Sequence, residues 1–85
     1  MTLDELQQHD RFAILILHSK GEIRRRLIDM GFVRGAQGVV LRKALLGGPI
    51  EVRMGRTLLS LRASEAVRVE VEKVPPGKSS DETTA

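Results

Sequence analysis

Eighty-five residues, a formal charge of +3 and no cysteine allow one small domain, able to bury only about 60% of its unfolded surface, and exclude both a disulfide framework and a thiolate metal centre. No stretch approaches the roughly 20 apolar residues of a membrane span. The start M-T-L-D-E-L is acidic where a secretory leader is basic, so a soluble cytoplasmic domain without direct membrane insertion is the expectation.

In chain order, Thr2 and Glu5 spell a capping box that opens a short turn facing Leu3 and Leu6 inward. Gln7 to Arg11 reads as a polar turn. The run F-A-I-L-I-L from Phe12 to Leu17 is too short for an ordinary helix and fits a strand buried on both faces. Ser19 to Gly38 then carries the most specific local signal. Ser19 and Glu22 form a second capping box. Ile23, Leu27 and Met30 recur at i, i+4 and i+7 and predict one apolar helix face, with Arg24, Arg25 and Arg26 off it. Gly31 is placed to stop that helix in a left-handed conformation. Gly35 and Gly38 are placed to turn the backbone into the next strand.

Val39 to Leu41 is that strand, leaving through Arg42 and Lys43. Residues 44–49, A-L-L-G-G-P, must be a loop, since Gly-Gly-Pro supports neither helix nor ladder. Ile50, Val52 and Met54 alternate with Glu51 and Arg53 as in a half-buried strand. Gly55-Arg56 suits a two-residue hairpin with glycine first, and Thr57 to Leu61 returns as the partner. Arg62 to Ala66 reads as a single helical turn. Val67, Val69 and Val71 alternate with Arg68, Glu70 and Glu72 as a last strand. Residues 75–85 hold no large apolar side chain and are expected to form a disordered tail, leaving 1–74 as the domain. Five short strands with one helix predict a mainly β fold, a small barrel, because closure removes exposed sheet edges. A two-layer α+β sheet is the alternative.

Little of the chain suggests catalysis. His9 and His18 are the only imidazoles, where a metal centre wants three or four converging ligands, so neither a metal site nor a cofactor is expected. Ser19 beside His18 lacks the third group that aims a catalytic base, and no phosphate loop, nucleophile elbow or zincin motif occurs. The chain does not read as an enzyme, and no small-molecule substrate is expected. Arg24, Arg25, Arg26, Arg34, Arg42 and Lys43 offer a basic patch. Yet residues 1–74 carry only +4, and Phe12 and Phe32 are the only aromatics, so nucleic-acid binding is not favoured over a solvated face. Leu45 and Leu46 beside Gly-Gly-Pro are better candidates for interaction, because at least one of two leucines in such a loop is expected at the surface.

R-L-I-D-M-G-F-V-R-G (Arg26 to Gly35), A-L-L-G-G-P-I (Ala44 to Ile50) and L-S-L-R-A-S-E-A (Leu59 to Ala66) closely resemble the FeoA family, small cytosolic accessory proteins of bacterial ferrous iron uptake. The resemblance runs from about Leu3 to Val74. It implies an SH3-like barrel of about five strands with a short helix between the first strands. It implies a protein partner, the FeoB-type membrane transporter engaged from the cytosolic side. Leu45 and Gly48 depart from the family loop, which reads closer to A-P-L-G-D-P-I, and the missing carboxylate argues against metal contact there. The expected partner-binding residues are Leu45, Leu46, Gly47 and Pro49, with Arg24 and Arg25 as a second surface. Leu45 is expected at the loop tip and Leu46 folded inward, while Gly31, Gly35, Ser19 and Glu22 are expected to shape the helix and its ends. The alternative is an SH3-like barrel that binds nucleic acid through its arginines. Oligomeric state is left open.

Overall fold

A computed structural model describes residues 1–75, so the segment read as a tail lies, apart from Pro75, outside the described residues. The elements are a 3-10 turn at Leu3–Glu5, β1 (Arg11–Leu17), α1 (Gly21–Asp29), β2 (Gln37–Lys43), β3 (Ile50–Met54), β4 (Thr57–Leu61), the single turn α2 (Ala63–Ala66) and β5 (Val69–Val74). The strands form one sheet in the order β4-β3-β2-β1-β5, antiparallel throughout. The architecture is therefore mainly β, with one short helix inserted between β1 and β2. Register shifts at Ile14/Ile16 in β1 and Val40/Arg42 in β2 bend the sheet, and Phe12, Leu27, Phe32, Val40, Val52 and Leu61 fill the core inside it.

The opening turn follows the local code. The Thr2 N–H donates to Glu5 Oε1 at 2.7 Å, and Leu3 and Leu6 are fully buried. Lys43, which composition assigns to a basic patch, is instead folded back onto this turn. Its ammonium donates to the carbonyls of Asp4 at 2.6 Å and Leu6 at 2.9 Å.

Helix α1 stops where glycine permits it. Gly31 has φ +103; its N–H donates to the Ile28 carbonyl at 3.0 Å and the Phe32 N–H to the Leu27 carbonyl at 2.9 Å. That pair of bonds is a Schellman motif, with Leu27 and Phe32 buried beside it. Gly31→Val should therefore cost roughly 1–3 kcal/mol through left-handed strain, read as a lower melting temperature; an unchanged one would remove Gly31 as the stop. Gly35, at φ +87, donates its N–H to the Ile14 carbonyl at 2.8 Å and seats the lead-in to β2 beside β1.

Six further expectations are corrected. The Ser19–Glu22 capping box does not form: Gly21 at φ +64 shifts the N-cap to Lys20, which leaves Ser19 buried, its Oγ without a hydrogen-bond partner, and Glu22 exposed. Ile23 is exposed rather than buried, because α1 meets the core only at its C-terminal end, around Leu27. Only the later positions of the predicted face, Leu27 and Met30, reach the core. Strand β1 is buried on both faces only through Ile14; Ile16 emerges once β2 has diverged. Gly38 is no turning residue but sits inside β2, opposite Phe12. Val67 ends α2 in helical backbone, so β5 starts at Val69. Leu46, the sixth, belongs to the loop described next.

Candidate functional site

The loop between β2 and β3 is closed by two backbone bonds, Ala44 N–H to the Pro49 carbonyl at 3.0 Å and Gly48 N–H to the Leu45 carbonyl at 3.2 Å. The inner turn Leu45–Gly48 has both central residues left-handed, Leu46 at φ +59 and Gly47 at φ +74, which is the type I′ pattern. Glycine takes such a backbone freely; a leucine does so at a steric cost of about 1–2 kcal/mol. Leu46 is not folded inward. It is 103% exposed and Leu45 87%, because the left-handed turn carries its first central side chain out at the tip. Pro49 is also exposed. Leu45, Leu46, Gly47 and Pro49 thus share one projecting, uncharged loop.

The second expected surface is divided. On α1, Arg24 Nη1 donates to the Leu17 carbonyl at 2.9 Å, and Arg26 bridges to Glu65 of α2 at 2.9 Å. Arg25 faces a shallow depression with Glu22 and Asp29 nearby. The three consecutive arginines therefore go three ways, two of them tying α1 to the rest of the fold. His18 Nε2 lies 3.0 Å from Glu70 Oε1, and His9 occupies an exposed left-handed turn. Among the described residues no three His, Cys, Asp or Glu side chains converge. Sequence reasoning did not single out a groove between β1 and α1 that exposes Ile16, Ile28 and Val33; its one local signal is apolar residues in excess of what the core accommodates.

Comparison with known proteins fits this geometry. The family model for the FeoA domain matches residues 1–73. The chain is 34% identical over 80 residues to an Fe(2+) transport protein A/Fe(2+) transporter FeoB fusion protein of Porphyromonas gingivalis, a match covering 94% of this chain and 10% of that one. It thus spans about a tenth of that relative's length. The solution structure of a FeoA protein from Chlorobium tepidum superposes with a TM-score of 0.83 at 40% identity, covering 94% of this chain and 76% of that one. The Stenotrophomonas maltophilia FeoA complexed with zinc, described as a procaryotic SH3 domain protein, gives 0.71 at 39% identity, covering 85% and 89%. A manganese-dependent transcriptional repressor shares the fold alone, at 16% identity with a TM-score of 0.78. The β1–α1–β2 arrangement, the SH3-like sheet and a family match spanning nearly every described residue make this chain a member of the FeoA family.

Proposed function

We propose that the chain is a cytosolic accessory component of ferrous iron transport, acting by protein–protein interaction rather than catalysis, and that the Leu45–Pro49 loop docks on an FeoB-type transporter. The observation that carries the reading is Leu46, an apolar side chain held fully exposed on left-handed backbone, a position where glycine or asparagine would be less strained. A costly exposed apolar group is accounted for when a partner covers it. The Porphyromonas gingivalis relative, in which transport protein A and FeoB form one polypeptide, supports the choice of partner. The alternative, nucleic acid on the arginines, is weakened by the internal bonds of Arg24 and Arg26.

The experiment pairs thermal melts with binding to the cytosolic portion of an FeoB-type transporter. Leu45→Asp and Leu46→Asp should each cost about 2 kcal/mol of affinity, roughly 30-fold, and change stability by no more than about 0.5 kcal/mol. Leu46→Gly should raise stability by about 1 kcal/mol and still weaken binding. Wild-type binding by both aspartate variants would reduce the loop to a connector. On the same reading iron is cargo of the transporter, not a ligand of this chain. Calorimetric titration with iron(II) or zinc should show no stoichiometric binding, and one equivalent held at micromolar affinity would contradict that.

A further inference from the structure

We propose that the open side of β1 at Leu15–Leu17 is a strand-addition site for an extended polypeptide segment of alternating apolar and acidic side chains, with Arg24 as its guard. The pairing of β1 with β2 stops at Ala13. Ile14 still bonds to the lead-in of β2, its N–H to Ala36 O at 2.9 Å and its carbonyl from Gly35 N at 2.8 Å. Beyond it, Leu15–Leu17 has β5 along one side, with Ile16 opposite Glu70 and Leu17 opposite Val69, and no strand along the other.

That open side borders a groove of about 340 Å³ lined by Leu15, Ile16, Ile28 and Val33, with Arg24 and Arg34 on it and no acidic side chain. Ile16, Ile28 and Val33 come from three separate segments and are 45%, 38% and 48% exposed. Among the described residues Arg34 has no hydrogen-bond or ion-pair partner. A strand edge beside an apolar trough suits main-chain pairing for affinity and alternate side-chain pockets for selectivity. Two guanidinium groups without a carboxylate select an occupant with acidic side chains.

Arg24 gives the site a resting state. Its Nη1 donates to the Leu17 carbonyl at 2.9 Å, taking an acceptor at the end of the open stretch and placing a charge on an edge that would otherwise invite indiscriminate pairing. An incoming amide replaces that donor, and the released guanidinium meets a carboxylate on the added segment. This surface shares no residue with the Leu45–Pro49 loop, so either can fail alone.

The test is amide NMR and hydrogen exchange on the full chain, titrated with a short synthetic peptide alternating valine and glutamate. Saturable shifts are expected at Leu15–Leu17, Ile28 and Val33, with slowed exchange within Leu15–Leu17. A valine–lysine peptide, and a valine–glutamate peptide N-methylated along one backbone edge, should each bind about tenfold more weakly or worse. Arg34→Glu should reverse the preference between glutamate and lysine peptides. Arg24→Ala should weaken the valine–glutamate peptide and strengthen an uncharged valine–serine one, a crossover that a purely structural arginine does not give. Absence of saturable shifts at millimolar peptide, shifts confined to Leu45 and Leu46, or equal binding of the lysine or N-methylated peptides would overturn the proposal.

Discussion

Gly38→Val should cost about 3 kcal/mol or more, a large share of the stability of a domain this small. The backbone at Gly38 is not left-handed, so the effect is one of space. A Cβ there would lie 2.8 Å from the Arg53 carbonyl on β3 and 2.8 Å from Cζ of Phe12, and would press on Sδ of Met54. Met54 can adjust, but the Arg53 carbonyl belongs to the β2–β3 pairing and the Phe12 ring is fully enclosed. Gly38→Ala should fail in the same direction by less. Urea unfolding should show a lower midpoint at unchanged slope. A midpoint equal to wild type would mean that β2 and β3 can separate locally at no cost, against the close packing the structure describes.

Phe32→Ala should cost about 3–5 kcal/mol, as expected for emptying a fully buried phenylalanine site. The loss falls unevenly. Phe32 follows the Schellman stop directly and joins the core cluster with Leu27, the one fully buried residue of α1. With its ring gone, α1 retains Leu27, the partly buried Met30, the Arg24–Leu17 carbonyl bond and the half-exposed Arg26–Glu65 bridge, two polar ties worth about 1 kcal/mol each. Hydrogen exchange should therefore accelerate first across Gly21–Asp29, while β1 and β5 stay protected. Uniform loss of protection would show that helix and sheet unfold as one unit.

Where the chain states its structure in short-range terms, the sequence can be read directly. The Thr2–Glu5 box, the hairpin at Gly55-Arg56 and the strands Ile50–Met54 and Thr57–Leu61 each depend on neighbours within a few residues, and each appears where local rules put it. The misreadings have two causes: single residues whose positive φ redirects the chain locally, and contacts supplied by distant segments. Ser19 and Glu22 have the right spacing, but Gly21 rotates the chain and moves the cap by one residue. Lys43 looks like surface charge until Asp4 and Leu6, nearly forty positions away, present it with carbonyls. Leu46 directly precedes the glycines, where the match of Leu45 to the family's loop-tip proline predicts an inward fold; its left-handed backbone instead carries the side chain out at the tip. The groove beside β1 was invisible because its walls, Ile16, Ile28 and Val33, belong to three elements whose convergence no periodicity encodes.

The placement of the chain's first residues has a consequence for how such a domain is built into larger polypeptides. Met1 accepts a bond from the Val71 N–H at 2.9 Å, and Thr2 bridges to Glu70 in antiparallel sense. The start of the domain and the close of β5 at Val74 are thus about 10 Å apart along one strand. Both ends of the described domain therefore lie on the same edge of the sheet, alongside β5. A host protein can therefore carry this unit like a tab, joined along that one edge. In such a covalent arrangement the tether sets the effective concentration, and even weak docking suffices.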